Sequence, residues 1–261
     1  MRILVVGMGL IGGSICKSIK AATSHAVYGC DVQQAVLDDA IADGAIDGTG
    51  TMTDGTYDMI ILCLHQRIAI QMVQEALPKI PAGTILVDTC GLKGRMVRDL
   101  TYRCRKADVR YVGTHPMAGR EKNGYYASIP NLFQNANLIV TPVDGTDEAA
   151  LDTVKELADQ MGFGKIVTAT PMWHDNMIAY TSQLAHVVSS SYVKDFCMDD
   201  ALSFSGGSFQ DMTRVATMDE SMWAALFLDN RDNLLYHLDL LIENLTDYRD
   251  ALKQRDEERL Q

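Results

Sequence analysis

The sequence predicts a two-part α/β protein in which a mostly parallel sheet domain precedes an all-helical domain. Up to about residue 168, short β-rich runs alternate with helical patterns, as they do in repeated β-α-β units. Three closely spaced glycines directly follow the first of these runs. After residue 170 the strand signal disappears and the pattern is helical to the C-terminus. We therefore expect one domain at 1–169 and a second at 170–261.

Seven runs of β-branched and aliphatic residues are the predicted strands. They are RILVV (2–6), AVYGCD (26–31), DMIILCL (58–64), TILVD (84–88), VRYVG (109–113), NLIVT (137–141) and KIVTA (165–169). The helical patterns between several of them are QAVLDDAIADG, AIQMVQEALPKI and EAALDTVKELADQMG. The first and last of these patterns end on a glycine suited to a helix C-cap. This alternation predicts crossover helices and parallel strand pairs.

The C-terminal part carries a long apolar stripe at alternating spacings of four and three residues. Its members are Leu234, Leu238, Leu241, Leu245, Tyr248 and Leu252. Such a stripe packs one helix against another. It could pack inside one chain, but the 92 residues from 170 to 261 offer few partners for so long a seam. We therefore expect a homodimer.

Composition argues against several classes of protein. Apolar residues make up 47% and charged residues 22%, which is ordinary for a globular protein. The net charge of −11 argues against a broad nucleic-acid or anionic-membrane surface. The six cysteines are scattered, with no C-x-x-C pair, so we expect free thiols and no metal site. With no leader or long apolar run evident, a cytoplasmic location is expected.

The glycines after the first strand predict a dinucleotide site. Gly7, Gly9 and Gly12 have G-x-G-x-x-G spacing, and Leu10 and Ile11 fall where a helix begins. The first glycine permits a tight turn, the second lets the backbone approach a pyrophosphate, and the third allows close helix–strand packing. The structural alternative is a plain glycine turn. The strand before the motif and the helix after it favour a Rossmann-type cofactor site.

An acid at the end of the second strand indicates which cofactor binds. Asp31 follows Gly12 by 19 residues, where a carboxylate can accept hydrogen bonds from the adenosine ribose. It would repel a 2′-phosphate, and the residues after it, Val32 and two glutamines, supply no arginine. NAD is therefore expected rather than NADP. Leu64 and His65 end a strand at the cofactor edge and are expected to line the nicotinamide region.

The stretch VGTHPMAGREKNG raises a question about one histidine. His115 follows an apolar strand directly, where ligands of open α/β sheets bind. Position alone is equally compatible with a catalytic histidine and with a solvent-exposed turn histidine.

The helical part contributes further candidates. Ser182 and His186 are four residues apart, which places them on one face of a helix. His174, near a helix start, is better suited to capping than to catalysis. Arg214 follows Asp211 by three residues, so it forms either a local ion pair or a site for a substrate carboxylate, which a guanidinium matches with two hydrogen bonds.

Six motifs occur together in the order found in one family. They are GMGLIGGS (7–14), VDTCGLKG (87–94), GTHPMAGREKNG (113–124), SQLAH (182–186), GGSFQDMTR (206–214) and MWAALFLDN (222–230). On these motifs the chain resembles the prephenate dehydrogenase family of tyrosine biosynthesis over essentially its full length. The resemblance implies a nucleotide-binding domain joined to a helical dimerisation domain, with the active site in the cleft between them.

The resemblance also implies roles for individual residues. His115 is expected to be the catalytic histidine and Arg214 the ligand of the ring carboxylate. The remaining residues expected in the substrate pocket are Ser182, His186, Gly207, Trp223 from the partner subunit, Arg120, Thr89 and Cys90. Glu121 and Lys122 are expected near the entrance, and His174 matches a family histidine with a structural part. The expected substrate is prephenate, with NAD as cofactor.

One position departs from the family pattern. The family often has a serine in the loop after the fourth strand, and here Gly91 occupies that position. Thr89, Cys90 or a water could take over its contact with the ring hydroxyl. The alternatives for function are an arogenate dehydrogenase and a non-catalytic NAD-binding regulator. The joint presence of His115, His186 and Arg214 argues against the regulator.

Overall fold

An eight-stranded sheet forms the centre of the N-terminal part of the protein. The structure is a computed structural model that describes residues 1–55, 57–120 and 122–261. It consists of two units, Met1–His174 and Asp175–Gln261. The strands are β1 (Arg2–Val6), β2 (Ala26–Cys30), β3 (Gly48–Thr49), β4 (Met59–Leu62), β5 (Ile85–Asp88), β6 (Arg110–Met117), β7 (Asn137–Val140) and β8 (Lys165–Thr168). Seven of them are the predicted strands, while β3 is too short for a sequence pattern.

The strand order is β3-β2-β1-β4-β5-β6-β7-β8. Every neighbouring pair is parallel except β6 and β7. This confirms the predicted α/β class with a mostly parallel sheet. Because β1 lies between β2 and β4, the chain reverses its direction of travel across the sheet there. The carboxyl end of β1 is therefore a topological switch point, where ligands of such sheets bind.

Strand β6 is longer than the sequence indicated. It was expected to end at Gly113, with His115 just beyond it. In the structure Gly113 is the last residue that pairs with β5, and Thr114 to Met117 pair antiparallel with β7. His115 thus lies inside the strand. The extension depends on β7, a partner that a local pattern does not reveal.

Helices cover both faces of the sheet. They are α1 (Leu10–Ala22), α2 (Gln34–Ala42), α3 (Gln66–Ala76), α4 (Gly94–Lys106) and α5 (Glu148–Gln160). Successive residues of β1 belong to two separate cores, with Ile3 and Val5 in one and Leu4 and Val6 in the other. All four are at most 2% exposed. A continuous apolar run of this kind is the signature of a strand that is buried on both faces.

The C-terminal part is helical, as expected. Helix α6 (Pro171–Ile178) spans the boundary between the units and is followed by a π-helical segment, Ala179–Gln183. The later helices are α7 (Leu184–Tyr192), α8 (Met198–Phe204), α9 (Gly207–Thr213), α10 (Glu220–Asp229), α11 (Arg231–Gln254) and α12 (Glu257–Leu260). Asp219 caps α10 by accepting a hydrogen bond from Met222 N.

The predicted apolar stripe on α11 divides into two parts. Leu234, Leu238 and Leu241 pack in a small core together with residues of the π-helical segment and α7. Leu245, Tyr248 and Leu252 are 58%, 59% and 64% exposed in the single chain. Contiguous exposed apolar surface of this kind marks an interaction site. The first half of the stripe therefore packs inside the chain, and the second half remains exposed in the single chain.

All six cysteines are free thiols, as predicted. Within the described ranges, none of the helices combines the length and the apolar character needed to span a membrane.

Candidate functional site

A glycine-shaped loop joins β1 to α1. Gly7 has a φ of +93°, and a Cβ at this position would lie 2.4 Å from Cys63 O. A Cβ at Gly12 would lie 1.9 Å from Gly7 O. Neither position can therefore hold a larger residue without moving the backbone. The predicted reasons for these two glycines, a tight turn and close packing, agree with this geometry.

Gly9 differs from its neighbours because the space beside it is open. A Cβ at Gly9 would meet no atom within 4 Å. Gly9 is also the N-cap of α1 and supplies no side-chain cap, and Leu10 and Ile11 begin the helix half-buried. The N–H groups of the first turn, together with the helix dipole, suit an anion in this space. The loop therefore fits the pyrophosphate of a dinucleotide.

Asp31 stabilises the glycine loop directly. Its carboxylate oxygens accept hydrogen bonds from Met8 N at 2.8 Å and from Gln33 N at 2.9 Å. A carboxylate has lone pairs beyond these two for ribose hydroxyls. In the loop after β4, Leu64 lies against the turn, and its Cδ2 is 2.8 Å from where a Cβ at Gly7 would lie. His65 is exposed as the N-cap of α3.

His115 forms a pair with a second histidine. Its Nδ1 is 2.9 Å from Nε2 of His174, and the two rings meet edge to face with centroids 5.1 Å apart. His174 is 1% exposed. The expectation that His174 caps its helix is wrong, because Thr170 accepts the hydrogen bond from Trp173 N at the start of α6. The imidazole of His174 instead orients the ring of His115.

The other nitrogen of His115 faces Gly91. A Cβ at Gly91 would lie 3.9 Å from both Nε2 and Cε1 of His115, an ordinary contact distance. Since residue 91 has no side chain, space remains beside Nε2. In the tautomer with its hydrogen on Nδ1, His115 donates to His174 and keeps a lone pair on Nε2. Nε2 is then the atom that can accept a proton from a ligand.

The surroundings of His115 favour its neutral form. Burial lowers the pKa of His115 well below its ordinary value, and the neighbouring His174 and Lys93 lower this pKa further. A neutral imidazole is the form that acts as a base. The site therefore keeps His115 able to accept a proton even at moderately acidic pH.

Three other predicted pocket residues hold backbone carbonyls. Thr89 Oγ1 donates to Leu62 O at 3.1 Å, and Cys90 Sγ donates to Leu64 O at 3.4 Å. The side-chain hydrogens of both residues therefore bind backbone carbonyls of β4 and of the loop after it. Arg120 is exposed and donates to Ala127 O at 2.8 Å. Lys122 is exposed, while Glu121 lies outside the described residues.

The predicted residues of the helical unit form a second group. His186 Nδ1 donates to Val215 O at 2.9 Å, and its ring centroid lies 3.7 Å from that of Trp223. Burial lowers the pKa of His186, and the nearby charge of Arg214 lowers it further. Arg214 is itself exposed and directly follows α9, the helix that begins at Gly207. His186, Trp223 and Arg214 are thus neighbours within this unit.

Trp223 reaches His186 within one chain. The resemblance implied that Trp223 comes from the partner subunit. In the single chain, α10 already brings its ring against His186. This contact therefore needs no second subunit.

Ser182 lies in the π-helical segment, half-buried. The expectation that Ser182 and His186 align on one α-helical face is therefore altered, because a π turn inserts an extra residue into the helix. Buried Gln183 holds this segment in place by donating to Leu226 O at 3.1 Å and accepting from Asn230 Nδ2 at 2.8 Å. Such π turns occur frequently at functional sites.

The chain matches sequence models of two family domains. Residues 15–168 match the prephenate dehydrogenase nucleotide-binding domain, and residues 170–261 match the prephenate dehydrogenase dimerization domain. The prephenate dehydrogenase of Bacillus subtilis (strain 168) is 29% identical over 267 residues, which cover 99% of this chain and 72% of the relative. The cyclohexadienyl dehydrogenase of Zymomonas mobilis subsp. mobilis is 31% identical over 267 residues, covering 98% and 89%.

Solved structures show the same fold. A prephenate dehydrogenase from Aquifex aeolicus, in complex with hydroxyphenyl propionate and NAD+, superposes with a TM-score of 0.89 at 28% identity. The match covers 100% of this chain and 94% of that one. An arogenate dehydrogenase from Synechocystis has a TM-score of 0.85 at 24% identity, and the match covers 100% of this chain and 95% of that one.

Proposed function

The chain belongs to the prephenate dehydrogenase family, and we propose that it catalyses the NAD-dependent oxidative decarboxylation of prephenate to 4-hydroxyphenylpyruvate. The observation that carries this proposal is the His115–His174 pair, which leaves Nε2 of His115 beside the open space at Gly91. The open glycine loop at Gly9 and the carboxylate of Asp31 support a dinucleotide cofactor. NAD is also the cofactor in the complex of the Aquifex relative.

The reaction requires one group on the protein that takes up a proton and later returns it. Prephenate carries a hydroxyl and a hydrogen on one ring carbon and a carboxylate on the opposite ring carbon. NAD held by the glycine loop and Asp31 would supply the acceptor for that hydrogen, which leaves as hydride. His115 Nε2 takes the hydroxyl proton as the hydride leaves, so that the ring oxygen becomes carbonyl-like.

Loss of carbon dioxide from the opposite carbon then makes the ring aromatic and leaves a phenolate. The imidazolium of His115 returns its proton to this oxygen, so no net proton is released. Aromatisation makes the sequence strongly downhill. The protein therefore has mainly to align the reacting carbon with the cofactor and to anchor the dianionic substrate.

Arg214 is the proposed anchor for the ring carboxylate, with Ser182, His186, Gly207 and Trp223 in the same pocket. Its guanidinium is exposed and lies near His186. A planar guanidinium can bind a carboxylate through two parallel hydrogen bonds. In the N-terminal unit, Arg120, Thr89 and Cys90 are also proposed to bind substrate.

Arogenate is the second candidate substrate. It undergoes the same reaction and differs only in the side chain, which has an amino group in place of the keto group. One relative is a cyclohexadienyl dehydrogenase, a name that specifies the ring rather than the side chain. Assays of the purified protein with NAD and each substrate separate the two candidates. Absence of activity with both would refute the proposed function.

Cofactor preference is the first testable consequence. We expect initial rates at equal subsaturating concentrations to be about tenfold or more higher with NAD than with NADP. The reason is that repulsion between the Asp31 carboxylate and the 2′-phosphate should weaken the binding of NADP by on the order of 1 kcal/mol or more. Asp31→Asn retains an oxygen for the Met8 N–H and should narrow this preference. A higher wild-type rate with NADP would contradict the role of Asp31.

We further propose a homodimer formed through the domain at 170–261. The exposed part of α11 around Leu245, Tyr248 and Leu252 supports it, as does the dimerization-domain match. Sedimentation at micromolar concentration should give about twice the 28.7 kDa chain mass. The Leu245→Glu/Leu252→Glu double variant should sediment as a monomer, because it buries two charges in the interface, whereas exposed Glu243→Gln should remain dimeric. A monomeric wild-type protein would refute the proposal.

A further inference from the structure

Lys93 is a fully buried lysine close to the proposed catalytic histidine. Its side chain is 0% exposed, as is that of Asp88, with which it forms an ion pair. Its ammonium also donates to Thr114 O at 2.5 Å. Lysine is almost never fully buried unless it is paired. A buried pair of this kind carries a desolvation cost, so it is weak evidence for a role in stability alone.

The remaining hydrogen bonds of Asp88 hold this pair in one geometry. Oδ1 accepts from Cys90 N at 2.9 Å as well as from Lys93, and Oδ2 accepts from the hydroxyl of Tyr111 at 2.6 Å. Burial, followed by the charge of Asp88, raises the pKa of Tyr111 well above its ordinary value, so this hydroxyl stays a donor. Both carboxylate oxygens of Asp88 therefore accept hydrogen bonds, and the ammonium of Lys93 is held beside Thr114 O of β6.

The point at which Lys93 meets β6 is where that strand changes partners. Pairing with β5 ends at Gly113, and pairing with β7 begins at Thr114. Thr114 Oγ1 donates to Asp88 O at 2.6 Å, and Thr114 O accepts from Lys93. Both contacts tie the end of β5 to the residue immediately before His115. The ion pair thus supports the backbone from which the histidine projects.

We propose that Lys93 is a positioning residue for the reaction, whose buried ammonium holds the backbone at Thr114 and keeps the imidazole of His115 neutral. This inference rests on the proposed function of His115. Within the described residues, the titratable groups that act on this histidine are His174 on α6 and Lys93 in the loop before α4. Lys93 is in turn paired with Asp88 at the end of β5, which Tyr111 on β6 also contacts. Burial, His174 and Lys93 all lower the pKa of His115. A positive charge on the imidazole is disfavoured beside the ammonium.

The test compares Lys93→Met with Tyr111→Phe. Lys93→Met removes the charge and keeps most of the side-chain length. Tyr111→Phe removes one hydrogen bond to the same carboxylate and keeps the cation. The first readout is an NMR titration of the His115 ring, assigned by its loss in His115→Asn, which needs no enzymatic activity. The second is the pH profile of kcat with prephenate and NAD.

In Lys93→Met we expect the pKa of His115 to rise by about 1 unit, and the acid limb of kcat to move to higher pH by the same amount. Tyr111→Phe should leave the pKa of His115 and the acid limb of kcat at their wild-type values. If Lys93→Met does not fold, Asp88→Asn/Lys93→Met removes both charges, leaves no unpaired carboxylate, and should raise the pKa in the same direction. An unchanged His115 pKa in a folded variant without Lys93 would overturn the inference.

The titration also separates this inference from the proposed function. A wild-type protein inactive with prephenate and arogenate would refute the function, while the His115 titration would still measure the effect of Lys93. A kcat that falls equally at every pH in Lys93→Met, with the acid limb in place, would reduce Lys93 to a structural residue and overturn the inference.

Discussion

Replacing His115 with Asn should lower kcat by about 10²–10⁴, while NAD and prephenate bind almost as they do to the wild type. Asparagine keeps much of the shape and the hydrogen-bonding capacity of histidine but cannot take up a proton. Nε2 of the wild-type histidine lies beside the open space at Gly91, while Nδ1 is engaged by His174. The loss should therefore fall on the chemical step, which steady-state and single-turnover kinetics would measure.

The pH dependence of the wild type follows from the same residue. His115 acts as a base only when neutral, so kcat should fall as the pH drops through its pKa in the complex. Because burial, His174 and Lys93 lower this pKa, the acid limb should lie below the ordinary histidine range near pH 6.5. The limb should be absent from His115→Asn.

His25→Asn is the matched control for this substitution. His25 precedes β2, at the edge of the sheet opposite the carboxyl ends of the parallel strands. Its replacement should leave kcat and the acid limb as they are in the wild type. If His115→Asn keeps a near-normal kcat or the same acid limb, the base lies elsewhere. His186, whose Nδ1 donates to Val215 O and whose Nε2 is then the unprotonated nitrogen, would be the next candidate.

Replacing Arg214 with Ala should raise the KM for prephenate roughly 10- to 150-fold, because a charge-assisted hydrogen bond contributes about 1.5–3 kcal/mol. The KM for NAD should change little, since the proposed cofactor loop lies on β1 and α1 of the other unit. Arg214→Lys should recover only part of the loss. Lysine keeps the charge but lacks the planar fork that binds a carboxylate through two bonds.

Arg249→Ala serves as the control for general effects of losing a positive charge. Arg249 is an exposed arginine on α11 of the same unit and pairs with its neighbour Asp250 at 3.1 Å. Its loss should leave KM unchanged, because surface pairs contribute little. An unchanged KM in Arg214→Ala would remove the proposed carboxylate contact and leave Arg214 with a local structural role only.

The parts of the fold that depend on local pattern were predictable from the sequence. Seven strands, the glycine turn after β1 and the acid at the end of β2 are each encoded within a few consecutive residues. Glycine is required at positions 7 and 12 because a Cβ there would meet nearby backbone atoms. The G-x-G-x-x-G spacing makes this requirement visible in the sequence. Asp31 was also identified, although its hydrogen bond to Met8 N was not.

Contacts between distant residues were not predictable in this way. His174 was expected to cap a helix, because its neighbours gave no sign that its ring meets a residue 59 positions earlier. The buried ion pair between Lys93 and Asp88 was not predicted, because the sequence shows only two opposite charges five positions apart. A lysine within an otherwise buried loop is nevertheless a signal for such a pair. The π turn at Ser182 likewise depends on Gln183 and Asn230, which are 47 residues apart.

The sequence by itself determined the order and type of the secondary structure, the dinucleotide loop and the family, because each is encoded in short-range periodicity or in motifs of a few residues. Only the tertiary structure decided which strand His115 belongs to, which of its nitrogens is open, and which half of the α11 stripe stays exposed. These features arise from pairing between segments far apart in the chain. A local pattern shows that a side chain must be buried or bonded, but it does not show which distant group will be its partner.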